Sequence, residues 1–349
     1  MRAAVAALAV LPAAVSCTAA EPSAAPRDAA APWAPMEGRH LRNIRLVTTG
    51  GERTGEAYFS PDGTKIIYQS VPEGGKFYQM YVLDIAAPGA KPVLVSTGKG
   101  ACTCGHWRPD GRKIIWASNH EDPEVVAGKE PADDAVPGYQ KSGRSYRWSF
   151  PRHMNIYESN PDGSDRRRLT DGPFYTAEGS YSPDGRHIVF ASDREGDMDV
   201  YVMDADGKNP RKITTAKGYD GGPFFSPDGK RVLWRSDRKA KDLLQVYVCN
   251  ADGTGEKPLT DNGKVNWGPT WHPDGRRVIF SSDLGSIPNS RPNYDLWMMT
   301  DAGDLLERIT YHPGPDILPV FSPDGKRLMW TTRREQDPKT QIYIADWID

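Results

Sequence analysis

The chain repeats one short pattern of apolar and polar residues six times. Each copy centres on a Pro-Asp-Gly triplet, and an aromatic residue stands two positions before the proline. These aromatic residues are Phe59, Trp107, Tyr181, Phe225, Trp271 and Phe321. Because alternate residues of a strand share a face, this spacing predicts a strand whose ring packs inward. Pro-Asp-Gly suits the backbone conformations of a tight turn, so we expect a hairpin at every triplet.

The segment after each triplet predicts a second strand that is more deeply buried. It carries three apolar residues in a row, such as Val232-Leu233-Trp234, and a continuous apolar run is typical of a strand covered on both faces. A third strand with an aromatic residue at a fixed place follows, and an Asp-Gly turn leads to a fourth that ends in Leu-Thr or Ile-Thr. Four antiparallel strands repeated six times indicate an all-β fold, the six-bladed β-propeller.

The two ends of the chain are predicted to complete one blade together. The sixth repeat stops after its third strand, at 341–348, whereas residues 44–49 resemble a fourth strand with no repeat before it. Pairing these segments closes the ring and removes an open sheet edge. We therefore expect a propeller over residues 43–349, in which strand 44–49 completes the last blade.

The repeated Ser-Pro-Asp-Gly units, the Ala-Asp-Gly turns and the Leu-Thr endings resemble the repeats of the TolB-like propeller family, also called PD40 or WD40-like repeats. The resemblance covers nearly all of residues 44–349. It implies a six-bladed propeller that is exported in bacteria and binds partner proteins of the cell envelope.

The N-terminus predicts export. Met1-Arg2 precedes the apolar run AAVAALAVLPAAV, which is too short to span a bilayer but suits a secretory signal. The ending Ala-Val-Ser-Cys resembles a lipoprotein signal over 1–17, in which Cys17 would carry the lipid; the alternative is cleavage near Ala20 and a soluble product. Residues 18–42 are rich in Ala and Pro and are expected to form a tether. We expect a periplasmic protein or a membrane-anchored lipoprotein.

The charge balance limits the partners. Lys and Arg number 44 and Asp and Glu number 46, so the net charge is −2, and no nucleic-acid partner is indicated. Membrane contact is expected only through a lipid on Cys17. The chain is expected to be a monomer without a cofactor.

The start of each first strand holds the candidate binding residues. The variable loops share one face of a propeller, and the first strands begin there, at the mouth of the central channel. The candidates are Glu56, Cys104, His106, Glu178, Asp220, Asn266, Trp267 and Asp316. Convergent carboxylates would hold a cation or a partner's Lys or Arg; alternatively, they cap turns and face channel water.

The second repeat carries an insertion at about 120–152. Its second half contains Tyr146, Arg147 and Trp148, residue types that anchor interfaces. We expect a binding arm over the channel face, and the alternative is an insertion packed on its own blade with Trp148 buried.

The stretch Cys102-Thr103-Cys104-Gly105-His106 offers a weak metal signal. Residues at alternate positions of a strand share a face, so two thiols and an imidazole would meet there, with His120 as a possible fourth ligand. Small buried side chains or a local disulfide are the alternatives, and no metal site is assigned.

Two functions are compatible with these patterns. The first is a non-catalytic scaffold that binds a protein, peptide or glycan partner through its loop-rich channel face. The alternative is a metal-dependent propeller enzyme, a lyase or hydrolase, with its site at the channel mouth. The sequence has no evident histidine cluster and no Gly-x-Ser-x-Gly motif, which favours binding.

Overall fold

The computed structural model describes residues 31–129, 150–287, 292–334 and 339–349. Within these ranges the chain forms six four-stranded antiparallel sheets and two four-residue helices. The first strands of neighbouring sheets contact each other around a closed ring. The predicted all-β, six-bladed propeller is thereby confirmed.

The first half of the ring is built in chain order. The described part begins with α1 (Ala34–Glu37) and β1 (Leu41–Leu46). Blade 1 contains β2 (Arg53–Phe59), β3 (Lys65–Val71), β4 (Gln79–Asp84) and β5 (Val93–Leu94). Blade 2 contains β6 (Cys102–Trp107), β7 (Ile114–Ser118), β8 (Asn155–Ser159) and β9 (Arg167–Arg168), with α2 (Pro123–Val126) between β7 and β8. Blade 3 contains β10 (Thr176–Tyr181), β11 (His187–Ser192), β12 (Asp199–Asp204) and β13 (Arg211–Lys212).

The second half repeats the same order. Blade 4 contains β14 (Asp220–Phe225), β15 (Arg231–Ser236), β16 (Gln245–Asn250) and β17 (Lys257–Pro258). Blade 5 contains β18 (Asn266–Trp271), β19 (Arg277–Ser282), β20 (Asp295–Thr300) and β21 (Glu307–Arg308). Blade 6 contains β22 (Asp316–Phe321), β23 (Arg327–Thr332) and β24 (Gln341–Trp347), and its fourth strand is β1.

The ring closes by pairing the two chain ends, as the sequence predicts. Strand β1 is antiparallel to β24, with Leu41 opposite Trp347 and Leu46 opposite Tyr343. The closing strand lies at 41–46 rather than at 44–49. The shift arises because the start of β1 follows an ordered segment: Glu37 of α1 is buried against Arg334, so the chain already contacts the ring before the strand begins.

The Pro-Asp-Gly hairpins form as predicted and are held by a repeated side-chain contact. In four blades, the serine before the proline donates its hydroxyl to the aspartate carboxylate at 2.6 Å; the serines are Ser60, Ser182, Ser226 and Ser322. The hydroxyl of Ser60 also lowers the pKa of the Asp62 carboxyl to about 2, because it stabilises the ionised form. We call this side of the ring, where the six triplets turn, the hairpin face, and the opposite side the loop face.

The core lies between adjacent blades. Ile115 and Ile156 of blade 2, for example, belong to one buried cluster with Ile188 and Phe190 of blade 3. The second strands are almost fully buried, with Trp116, Trp234 and Trp330 among the largest enclosed side chains. Over the described residues, neither helix is long and apolar enough to traverse a bilayer.

Candidate binding site in the central channel

Every first strand carries an irregularity where it lines the channel. The register of β10 against β11 shifts between Ala177 and Ser180, and the other five first strands shift at the equivalent place. One residue of each bulge lies five positions before the triplet proline: Glu56, Cys104, Glu178, Gly222, Gly268 and Leu318. All but Glu56 have a positive φ, between 53° and 60°. A bulge re-aims its side chain, and these six positions form one layer of the channel wall.

Glu178 and Arg235 form a buried ion pair at the centre of this layer. Arg235 Nη2 lies 3.1 Å from Glu178 Oε1, and both side chains are 8% exposed. The same Nη2 donates to the hydroxyl of Tyr219 at 2.8 Å, and that hydroxyl lies 3.1 Å from both Glu178 oxygens. The backbone N–H of Gly222 also donates to Glu178 Oε2. A Cβ on Gly222 would collide with the Arg235 guanidinium, so glycine is required for this close approach.

Glu56 is the second carboxylate of the layer, and among the described residues the cation that acts on it is Arg235, which also pairs with Glu178. Its Oε1 accepts a hydrogen bond from the Tyr58 hydroxyl at 2.5 Å. Burial raises the pKa of Glu56, and Glu178 raises it further, while Tyr58 and Arg235 oppose the shift. Burial and the two carboxylates also raise the pKa of Cys104 well above its usual value.

These five side chains belong to one polar cluster, the channel cluster: Glu56, Tyr58, Cys104, Glu178 and Arg235. They line a common cavity with a volume of about 10 Å³, close to the space that one water molecule needs. The side chains of Glu178 and Arg235 are each only 8% exposed. The channel cluster is therefore an enclosed site in which two carboxylates share one guanidinium.

A layer of rings lies next to the channel cluster. The Tyr58 ring is 5.3 Å from the His106 ring and 5.6 Å from the Phe224 ring, measured between centroids. Burial lowers the pKa of His106 to about 4, and its Nδ1 is buried without a hydrogen-bond partner among the described residues. His106 is therefore neutral at physiological pH and acts as part of an apolar wall.

Aromatic side chains of the loop face cover part of the mouth. Phe150, which ends the insertion, lies 5.0 Å from the Tyr175 ring and 5.7 Å from the Tyr219 ring. Trp267 belongs to the same buried cluster, and Ile317 and Leu318 pack against it while staying partly exposed. We call Phe150, Tyr175, Tyr219 and Trp267 the aromatic rim.

The structure brings only some of the predicted channel residues together. Glu56, Cys104, Glu178 and His106 surround the channel, and Trp267 is in the aromatic rim. Asp220 and Asp316 are fully buried within their own blades instead. Asp220 accepts from Trp234 Nε1 at 3.2 Å and from Arg238 at 2.8 Å, and Asp316 is bound in the same way by Trp330 and Arg334.

Asn266 is also buried inside its blade, where it bonds to Ser282 and Gln245. The prediction placed the residues seven to five positions before the proline together at the channel mouth. The bulge includes the residue five positions before the proline, so the residues seven positions before it turn into the blade while those at the bulge turn into the channel.

The same bulge separates the two cysteines of the Cys-x-Cys stretch. The thiol of Cys102 lies inside blade 2, 3.3 Å from the Ser118 hydroxyl, whereas Cys104 faces the channel cluster. Both are free thiols, as is the buried Cys249. His120 packs on Tyr157, with 4.5 Å between ring centroids. No group of three His, Cys, Asp or Glu side chains that could hold a metal occurs in the described ranges.

Two further predictions lie outside the described residues. Tyr146, Arg147 and Trp148 of the insertion fall within 130–149, and Cys17 falls within 1–30. The binding role of the first three and the lipidation of Cys17 stay predictions.

Sequence reasoning missed Arg235, Tyr58 and Tyr219 as members of the site. A signal for Arg235 exists: it follows the apolar run Val232-Leu233-Trp234, where the other repeats carry Gln69, Ala117, Ala191, Ser281 and Thr331. A charged residue at one copy of a buried, repeated position needs a partner, and that partner is Glu178. Tyr58 and Tyr219 carry no comparable signal, because tyrosines are frequent throughout the repeats.

Comparison with known proteins finds TolB propellers both by sequence and by structure. A family model described as the TolB beta propeller domain, PD40, matches residues 149–287. The Tol-Pal system protein TolB of Bordetella pertussis is 28% identical over 148 residues, which cover 38% of this chain and 33% of the relative. The relatives from Bordetella parapertussis and Bordetella bronchiseptica match equally. The match thus spans about a third of the length of these curated relatives.

Solved structures show the fold over most of the chain. A putative TolB from Agrobacterium tumefaciens has a TM-score of 0.59 at 22% identity, covering 85% of this chain and 91% of its own. TolB from Acinetobacter baumannii has a TM-score of 0.57 at 19% identity, and the match covers 87% of this chain and 65% of that protein. An oligogalacturonate lyase from Vibrio parahaemolyticus has a TM-score of 0.55 at 14% identity, and the match covers 87% of this chain and 93% of the lyase.

Six blades of four strands, each turning on a Pro-Asp-Gly hairpin, define a propeller of PD40 repeats. Residues 149–287 match the TolB beta propeller domain model, and the fold of the whole ring is similar to that of the solved TolB structures.

Proposed function

We propose that this protein is a non-catalytic scaffold of the bacterial cell envelope, which binds a protein, peptide or glycan partner through the channel mouth on its loop face. The relatives named as Tol-Pal system proteins support an envelope role. The export signal predicted at 1–17 supports a periplasmic or lipid-anchored location. Enzymes and binding proteins share this fold, so the residues of the site, rather than the fold, distinguish the two functions.

The observation that carries the proposal is the charge of the channel cluster. It contains two carboxylates, Glu56 and Glu178, and one guanidinium, that of Arg235. With both carboxylates ionised, the cluster has an excess negative charge in a partly enclosed, weakly solvated place. A partner's lysine or arginine side chain would neutralise it, and a charge-assisted hydrogen bond at such a site is stronger than in water.

The walls of the mouth suit a polypeptide or another ligand with apolar parts. Ile317 and Leu318 remain partly exposed beside the aromatic rim. Aromatic and apolar walls around a buried charge are the usual composition of an interface anchor pocket. The insertion residues Tyr146, Arg147 and Trp148 are proposed to add contacts on this same face.

A partner-capture experiment tests the proposal. The wild type, Glu56→Gln and Glu195→Gln would each be used to capture proteins from envelope extracts, followed by quantitative mass spectrometry. Glu195 is the matched control: it is a carboxylate with 57% exposure in the loop between β11 and β12, and it is not a channel-cluster residue. We expect that the wild type and Glu195→Gln capture equal amounts of one partner, and that Glu56→Gln captures at least fivefold less of it. Equal capture by all three would contradict a role of the channel cluster.

A variant without residues 130–149 tests the arm. Phe150 is kept because it is buried among Tyr175 and Tyr219. We expect weaker capture of the same partner. An unchanged partner profile would remove the insertion from the binding surface.

The second candidate function is a metal-dependent propeller enzyme, since an oligogalacturonate lyase shares the fold. Elemental analysis of the purified full chain separates the two hypotheses. A stoichiometric transition metal that survives dialysis would favour the enzyme, and a metal-free preparation that retains its partner would favour the scaffold.

A further inference from the structure

The hairpin face contains six equivalent gaps, one between each pair of neighbouring blades. The glycine of one triplet packs beside the proline of the preceding blade, as Gly229 does against Pro183 and Gly275 against Pro227. The residue four positions after each triplet proline lies at the start of the second strand, and Arg231 and Arg327 reach the next blade from this position. These residues are Lys65, Lys113, His187, Arg231, Arg277 and Arg327.

Arg231 fills the gap between blades 4 and 5. Its Nη2 donates to the Gly275 carbonyl at 2.9 Å, and its Nη1 lies 2.7 Å from Asp301 Oδ2. The guanidinium carbon lies 4.7 Å from the centre of the Trp271 ring. A carbonyl, a carboxylate and an aromatic face together satisfy one guanidinium group.

Arg327 fills the gap between blades 6 and 1 in the same manner. Its Nη2 donates to the Gly63 carbonyl at 2.8 Å, and its guanidinium carbon lies 5.1 Å from the centre of the Phe59 ring. Gly63 and Phe59 occupy the same repeat positions as Gly275 and Trp271. Two gaps between blades are therefore each filled by a guanidinium group of the chain itself.

The gap between blades 3 and 4 differs, because His187 stands where arginine stands in the two gaps above. The side chain of His187 is 47% exposed and lies 3.8 Å from Asp204 of its own blade. A cavity of about 450 Å³ opens here, lined by His187, Phe225 and Gly229. That volume is in the range of small-molecule and side-chain pockets.

The lining of this cavity repeats the ring and the glycine that hold Arg231 and Arg327, whereas the repeat equivalent of Asp301 is Ala251. Phe225 and Gly229 are the repeat equivalents of Trp271 and Gly275, and both line the cavity. No side-chain donor to the Gly229 carbonyl occurs among the described residues, although the Gly275 and Gly63 carbonyls each accept from an arginine.

The charges around the cavity favour a cation. Asp184, Asp228 and Asp252 line it, and each has a lowered pKa because a serine or threonine hydroxyl binds its carboxylate. Three carboxylates of the lining therefore face one guanidinium, that of Arg211, which donates to the Ala251 carbonyl at 2.6 Å.

We propose that the gap between blades 3 and 4 is a guanidinium-binding site, which takes an arginine side chain of a partner or a small guanidinium compound. The ligand's planar group would lie over Phe225 and donate to the Gly229 carbonyl and to Asp228 or Asp252. This site is on the hairpin face, away from the channel mouth, and it is independent of the function proposed above.

The test compares guanidinium and ammonium probes by isothermal titration calorimetry on the full chain. Acetyl-arginine amide is expected to bind at least tenfold more tightly than acetyl-lysine amide, because only the planar group can donate to a carbonyl and a carboxylate while covering a ring. The ring resonances of His187 are expected to shift on titration with the arginine probe, which locates the binding.

Two substitutions make the result specific. His187→Arg places the chain's own guanidinium in the gap and is expected to weaken binding of the arginine probe at least tenfold, while the control Glu195→Gln, in the loop between β11 and β12, leaves this site unchanged. Arg231→His empties the equivalent gap and is expected to create a second site of similar affinity. Thermal melts of each variant check that the ring stays folded.

The outcomes show whether the cavity binds guanidinium groups and whether its ligand is a small molecule or a protein. Undiminished binding to His187→Arg, or equal binding of the lysine probe, would overturn the proposal. Given binding, methylguanidinium as tight as acetyl-arginine amide indicates a small-molecule ligand, whereas tighter binding of an arginine-containing peptide indicates a protein partner.

Discussion

Glu37 and Arg334 form a buried ion pair between the two ends of the chain. Glu37 Oε2 lies 2.6 Å from Arg334 Nη1, and the side chains are 3% and 2% exposed. Arg334 Nη2 also donates to Asp316 at 2.8 Å, and Glu37 Oε1 accepts from the backbone N–H of Tyr311 and His312. Every polar atom of this contact is thus used where α1 meets blades 5 and 6, directly before the strand that closes the ring.

Arg334→Met is expected to lower the free energy of unfolding by about 3–5 kcal/mol, because it leaves Glu37 and Asp316 as buried charges without a cation. Urea denaturation followed by tryptophan fluorescence measures the change. The neighbouring Arg333 is exposed, so Arg333→Met serves as the control and should change the stability by less than about 0.5 kcal/mol. Equal effects of the two substitutions would show that α1 does not stabilise the ring closure.

Arg235→Met is expected to destabilise the protein by about 3–5 kcal/mol because Glu178 then loses its buried counter-charge. The double variant Arg235→Met/Glu178→Gln removes both charges and should recover part of that loss. A double-mutant cycle in urea gives the coupling energy between the two side chains. A coupling energy near zero would mean that the ion pair is not formed in solution.

His106 is expected to contribute a loss of stability as the pH decreases from about 6.5 to about 4. Its pKa in the folded protein is lowered to about 4, from an ordinary value of 6.5. The unfolded chain therefore binds a proton in this interval and the folded chain does not, which favours unfolding; above pH 6.5 both states are neutral and the contribution is absent.

The melting temperature of His106→Phe should consequently depend less on pH between 6.5 and 4 than that of the wild type. His187→Gln is the control, since His187 is 47% exposed. Parallel pH profiles for the wild type and His106→Phe would show that His106 is solvated in the channel.

The three described cysteines are expected to resist alkylation in the folded protein. Burial raises the pKa of Cys102 to about 11 and that of Cys249 to about 12, and Cys104 is raised well above its usual value. Because the thiolate is the reactive form, iodoacetamide at pH 8 should label these residues only after unfolding, as measured by peptide mass spectrometry. Labelling of Cys104 in the folded chain at the rate of a free thiol would show that the channel is more open than described.

The repeat pattern was sufficient to predict the fold, because each hairpin depends on residues that are close together in the chain. The Pro-Asp-Gly turns and the buried second strands follow from local spacing, and the pairing of the two termini follows from the repeat count, which leaves the last blade without a fourth strand. The role of Glu37 could not be predicted in this way. Its partner Arg334 lies far away in sequence, so the segment before the closing strand has the composition of a tether until the ring brings the two together.

The candidate site was predicted only in part, and the bulge is the physical reason. Gly222 and Gly268 suit a positive φ, but Cys104, Glu178 and Leu318 adopt it without any signal in their residue type. Asp220 and Asp316 were predicted at the channel mouth because they begin their first strands, although both are fixed inside their blades by an arginine and a tryptophan. Arg235, which completes the site, comes from a second strand that was expected to be apolar throughout.

Photo-crosslinking in exporting cells tests most directly whether the channel mouth is the binding surface. A benzophenone amino acid would replace Ile317, which is partly exposed at the mouth, or Lys326, which is exposed on the hairpin face of blade 6. Position 317 is expected to crosslink one envelope partner, with a yield that falls at least fivefold when Glu56→Gln is added, and position 326 to give none. A partner crosslinked from position 326 but not from 317, or a yield at 317 that Glu56→Gln leaves unchanged, would contradict the proposed function.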